Sequence, residues 1–135
     1  MYDRRTLLRA SGVAIVGGLA GCGGASSAPS TIRVDMTDEL LFEPAELTVD
    51  VSDTVIWETT GTVAHSVTAY AADLPDGATY FASGGFSDEA TARSRYPEGS
   101  VGAGETYSHT FETGGEFPYF CVPHESGMRG TVVVE

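Results

Sequence analysis

A thiol, an imidazole and a thioether fall within eight residues near the C-terminus: Cys121, His124 and Met128. A second imidazole, His65, stands far upstream in Val63-Ala64-His65-Ser66-Val67. Two imidazoles, one thiolate and a weaker thioether are the donor set of a mononuclear copper centre that exchanges electrons. Soft sulfur suits Cu(I) and nitrogen suits Cu(II). A trigonal His₂Cys plane with a weak axial methionine satisfies both, so little has to move when the charge changes. In such a site Cys121 is the strongly bound thiolate, His65 and His124 complete the plane, and Met128 lies on the axis.

The spacing is compatible with that chemistry. Pro123 between Cys121 and His124 discourages helix and favours a tight loop. Gly127 is expected to supply the backbone freedom that turns Met128 toward the metal. Pro123 has no N–H, so it cannot donate to the Cys121 sulfur, and fewer donors there raise the reduction potential. Plainer readings stand beside these. Cys121 could be a small buried hydrophobe, His65 a satisfied strand histidine and Met128 core packing. His109, in the alternating run Tyr107–Phe111, has no ligand spacing around it and is expected to be structural. Trp57 is expected in the core, and Arg129 as a solvated charge beside the site.

The stretch from Glu116 to Gly130 (EFPYFCVPHESGMRG) resembles the plastocyanin/amicyanin branch of the cupredoxins, and looks most like the halocyanins. Further matches follow that family's order: Phe42 to Val49, then Thr54 to Trp57, then Ala64-His65. The resemblance covers residues 31–135. It implies a Greek-key β-sandwich holding one type 1 copper ion on His65, Cys121, His124 and Met128. It also implies electron entry and exit through the outer edge of His124. Two departures are visible. Ser66 stands where the family often carries an asparagine whose side chain pins the cysteine loop, although the Ser66 backbone N–H can still reach the sulfur. The gap from His124 to Met128 is one residue shorter than in plastocyanin and one longer than in amicyanin.

These ligands need a rigid frame. Short alternating runs divided by Gly, Pro and Asp read as strands: Ile32–Met36, Leu47–Val51, Thr54–Glu58, Ala64–Tyr70, Thr106–Glu112, Glu116–Phe120 and Thr131–Val134. Thr106–Glu112 and Glu116–Phe120 look like a pair joined at Thr113-Gly114-Gly115. Some seven strands in about a hundred residues predict an all-β, antiparallel Greek-key sandwich. His65 would come from a strand near one end of the sandwich, and the Cys121 loop would close over it from the other sheet. Asp73–Gly104 is the irregular part, with a helical turn or two expected at Asp88–Arg93.

The N-terminus reads as address rather than fold. Paired arginines, Arg4 and Arg5, precede an apolar stretch from Ala10 to Ala20 that is too short to span a bilayer. Residues 1–21 are therefore expected to be a twin-arginine export signal. Leu19-Ala20-Gly21-Cys22 looks like a lipobox, with Cys22 as the lipidated residue once the signal is removed; the plainer alternative is a free or discarded Cys22. Residues 22–30 form a small, polar, flexible tether. The protein is then expected on the outer face of the cell membrane, lipid-anchored, as a monomer.

Nineteen acidic residues stand against seven arginines and no lysine, a formal charge of −12. Loss of residues 1–21 removes Asp3, Arg4, Arg5 and Arg9, leaving the balance still more acidic. Phosphate would be repelled, which excludes nucleic acid as a partner. So acidic a surface suggests a saline host, where the Debye length is only about 3 Å at 1 M. Docking with redox donor and acceptor proteins would then depend on apolar contact around His124, with Pro123 and Gly127 contributing. Copper enzymes need further histidine clusters, for which only His109 is left, and a dinuclear copper-A centre needs a second nearby cysteine. An electron carrier is expected, not an enzyme. The rivals are a copper-trafficking lipoprotein with the same ligands and, more distantly, an acidic adhesion or scaffolding sandwich.

Overall fold

The computed structural model describes residues 28–135. The expected export signal, Cys22 and most of the expected tether lie outside the described residues. Among the described residues, no helix is long and apolar enough to cross a membrane.

Among the described residues, eight strands form two four-stranded sheets. In chain order they are β1 (Thr31–Met36), β2 (Phe42–Glu43), β3 (Glu46–Val49), β4 (Thr54–Thr59), β5 (Thr68–Ala69), β6 (Thr106–Thr110), β7 (Gly115–Phe120) and β8 (Arg129–Val134). The first sheet runs β2-β1-β4-β6 and the second β3-β8-β7-β5. Alternation in the sequence becomes alternation in burial: in β4, Val55, Trp57 and Thr59 face inward and their neighbours are half-exposed. The same period of two buries Val132 and Val134 on β8.

The sandwich is the expected one, and its sheets are mixed. β1 pairs parallel with β4, and β3 parallel with β8. After β1 and β2 the chain crosses to the second sheet for β3, then returns for β4. Strands reached through such a crossover can lie parallel, which a tight hairpin forbids. The expected pairing of the strands around Thr113–Gly115 does not form. β6 belongs to the first sheet and β7 to the second, so this turn is an inter-sheet corner. Gly115 sits there at φ +135°, where a β-carbon would meet the Pro75 ring at 2.5 Å.

Trp57 is fully buried between the sheets, its ring edge-on to Tyr119 at 5.3 Å and stacked on Tyr107 and Phe81. Phe111, Phe117, Met36 and Val34 complete the core around it. Among the described residues, His109 belongs to no cluster of metal-donor side chains. It stacks on Phe81 at 4.7 Å and meets Phe111 edge-on, the structural role expected of it. Within the irregular segment, α1 (Glu89–Arg95) is capped by Asp88, whose carboxylate accepts from the Thr91 N–H at 2.8 Å.

Candidate metal centre

The expected strand Ala64–Tyr70 is mostly extended loop. His65 forms an isolated bridge with Val101, and regular pairing begins only at Thr68, where β5 lies against β7. Cys121 immediately follows β7. The first imidazole and the thiol therefore approach from neighbouring strands of one sheet, not from opposite sheets. The β5–β7 ladder sets their separation.

His65, Cys121 and His124 each place a ligand atom within 4.8 Å of the other two. The His65 Nδ1 lies 3.9 Å from the Cys121 Sγ, and the His124 Nδ1 lies 3.3 Å from it. The two rings cross at 5.3 Å between centroids. His65 and Cys121 are wholly buried and His124 is half-buried, so one imidazole edge reaches the surface.

The loop after Cys121 is closed by its own backbone. A 3₁₀ turn spans Val122–His124 with Pro123 in its first turn, where a missing N–H costs nothing. The Gly127 and Met128 amides both donate to the His124 carbonyl, at 3.1 and 2.9 Å. The Cys121 amide donates to the Met128 carbonyl at 3.1 Å. This brings Met128 back beside Cys121 in the core, fully buried. Gly127 is not what makes the turn. Its φ lies outside the left-handed region, and a β-carbon there would meet nothing within 4 Å. The two bonds to the His124 carbonyl do that work.

Ser66 ties the two segments together twice. Its N–H donates to the Cys121 sulfur at 3.3 Å, and its hydroxyl accepts from the Val122 N–H at 2.8 Å. The neighbouring loops are tied by Asp38, whose carboxylate accepts from the Thr62 and Val63 amides. The Val63 bond in particular holds its pKa below the ordinary carboxylate value. Sequence reasoning did not find Asp38; an acid in a turn carries no spacing signal linking it to a loop 24 residues away.

Burial disfavours charge on both inner donors. Burial, reinforced by the neighbouring His124, lowers the His65 pKa, while the Thr37 carbonyl and Asp38 pull weakly the other way. The shift favours the neutral ring, which has a lone pair free at Nδ1 when Nε2 carries the proton. Nε2 is buried without a well-formed hydrogen bond. Burial raises the Cys121 thiol pKa, and the Ser66 N–H offsets this only in part. An unaided thiolate is disfavoured there. A bound cation that displaces the thiol proton removes the penalty. Two imidazole nitrogens and a thiolate fit copper, with the Met128 thioether buried alongside.

The family model for copper binding proteins of the plastocyanin/azurin family matches residues 29–135. A plastocyanin of Scenedesmus fuscus is 33% identical over 97 residues, covering 71% of this chain and 88% of that one. A halocyanin of Natronomonas pharaonis is 35% identical over 96 residues, covering 70% of this chain and 48% of its own length. Among solved structures, a reduced-state amicyanin mutant superposes with a TM-score of 0.57 at 30% identity, covering 78% of this chain and 82% of that one.

Proposed function

The chain belongs to the plastocyanin/azurin family of copper-binding proteins, and on that premise we propose that it is a membrane-tethered carrier of single electrons between redox proteins. It is an electron-transfer protein with a His-Cys-His site for one copper ion, not an enzyme. Copper, when bound, supplies the one-electron couple. The observation that carries the reading is the convergence of both Nδ1 atoms on the buried Cys121 sulfur.

The remaining assignments are proposals. His65, Cys121 and His124 would be the equatorial ligands and Met128 the axial one. Met128 is buried in the same cluster as Cys121, in support of that role. His124 is the half-exposed ligand, flanked by exposed Pro123 and Gly127, which suits it to pass electrons to a partner docked on that edge. Dense negative charge elsewhere favours docking by apolar contact at this end. The tether rests on sequence alone: Arg4-Arg5, the apolar stretch and the lipobox at Cys22 support export and anchoring outside the membrane through residues 22–30.

Titration of the purified chain with Cu(II) tests the central reading. An intense visible thiolate-to-copper charge-transfer band and reversible one-electron cycling are expected. A loaded chain that stays colourless under oxidising conditions would sink it. Copper handed to an acceptor without cycling would indicate trafficking instead.

A further inference from the structure

We propose that Arg93, carried on α1 of the irregular segment, is a positioning residue that clamps the copper-ligand loop from outside; the proposal deepens the copper-carrier reading and, for its redox arm, rests on it.

The loop is gripped at both ends by side chains that are not ligands. Beyond His124, the Glu125 carboxylate receives two bonds from the Arg93 guanidinium, at 2.7 and 3.0 Å. It accepts a third from the Tyr70 hydroxyl at 2.7 Å. The Glu125 carbonyl accepts from the Arg129 Nε at 2.9 Å. Ahead of Cys121, the Phe120 ring packs against the Tyr70 ring at 4.4 Å between centroids, and the Arg93 guanidinium lies 4.2 Å above it. Arg93 is itself aimed by Glu89, one helical turn earlier, which accepts from its Nε at 2.8 Å. Glu89 in turn accepts from the Ala71 N–H, tying α1 to the segment after β5. Arg93 thus touches the residue before the thiolate ligand and the residue after the exposed imidazole.

Global stability does not explain this arrangement. The Arg93 and Glu125 side chains are 38% and 31% exposed, and pairs that wet contribute little to folding. The forked, bidentate geometry supplies direction instead. Its consequence is local: with Glu125 held, the His124 backbone cannot shift, and the ring keeps one position in both charge states of the site.

The test has a metal-free arm and a loaded arm. In the metal-free chain, hydrogen exchange is measured at the Val122, His124, Gly127 and Met128 amides. Arg93→Met keeps an apolar chain over Phe120 and removes the fork; Glu125→Gln keeps the shape of the carboxylate and removes its charge. Each is expected to speed exchange of these amides about fivefold, the upper range for an exposed pair. The double variant should gain nothing beyond either single change, since the two groups act as one unit. Arg95→Met, which removes an exposed ion pair to Glu98 and no bond to Glu125, should leave exchange at the wild-type rate. In the loaded chain, one electron passes from a cuprous copy to a cupric copy, and that self-exchange rate should fall in both single variants. Wild-type loop protection in folded Arg93→Met and Glu125→Gln overturns the clamp, as does full additivity in the double variant. Failure of the wild-type chain to develop the charge-transfer band would overturn the copper reading alone, leaving the metal-free result to decide the clamp.

Discussion

The Ser66 hydroxyl accepts a hydrogen bond at 2.8 Å from the Val122 amide, 56 residues further along the chain. One small side chain thus joins the segment of His65 to the loop that follows Cys121. Ser66→Ala leaves a partly buried amide without its acceptor, which costs about 1–3 kcal/mol. Urea unfolding of the metal-free variant should show that loss. The charge-transfer band should persist, because the Ser66 N–H that reaches the sulfur belongs to the backbone. A variant as stable as the wild type would mean that the bond contributes nothing.

Two glycines of the same region should respond unequally to alanine. At Gly130 a β-carbon would meet the Tyr119 hydroxyl at 2.5 Å and the Ala45 carbonyl at 2.9 Å. Both neighbours are confined by the sheet, so Gly130→Ala should cost about 1–3 kcal/mol through overpacking. At Gly127 a β-carbon enters open space, and Gly127→Ala should stay within about 0.5 kcal/mol of the wild type. Thermal melts of the two variants give the comparison, and equal losses would contradict it.

The convergence of His65, Cys121 and His124 was legible because its signal is chemical: residue types with few alternative uses, two of them in a short C-x-x-H order. The sandwich was legible from alternation, which strands must display when one face is buried. What stayed hidden is what period two cannot encode. Thr106–Thr110 and Gly115–Phe120 have the pattern of a hairpin, yet the Gly115 corner sends them to different sheets. Parallel pairing of β1 with β4 depends on the path between them, not on either strand's sequence. The Arg93–Glu125–Tyr70 network joins residues 32 and 55 positions apart. Charged and hydroxyl groups so separated have countless possible partners until the fold selects one.

Met128 and Cys121 should separate the axial from the equatorial contribution. Met128→Leu nearly conserves volume in a fully buried site, so the fold should lose less than about 1.5 kcal/mol. The cuprous ion is content with fewer ligands, so a weak fourth donor, although soft, favours the cupric state more than the cuprous one. Its loss should therefore raise the reduction potential while the visible band remains. Cys121→Ser should abolish the band. Redox titration with absorption spectra decides this; an unchanged potential in Met128→Leu would remove Met128 from the ligand set.

His109 should make the metal-free protein less stable in mild acid. Burial lowers its pKa in the folded state below the ordinary 6.5. Above 6.5 the ring is neutral in both states and stability does not depend on it. As pH falls through 6.5 the unfolded chain takes up a proton that the folded chain refuses, so stability is lost until the depressed folded value is reached. His109→Phe keeps a ring against Phe81 and removes the titration. Its urea midpoint should therefore fall less between pH 8 and pH 5 than that of the wild type. The decline should not vanish, because burial lowers the His65 pKa in the same direction. Parallel declines in the two proteins would show that His109 takes up its proton as readily in the folded chain as in the unfolded one.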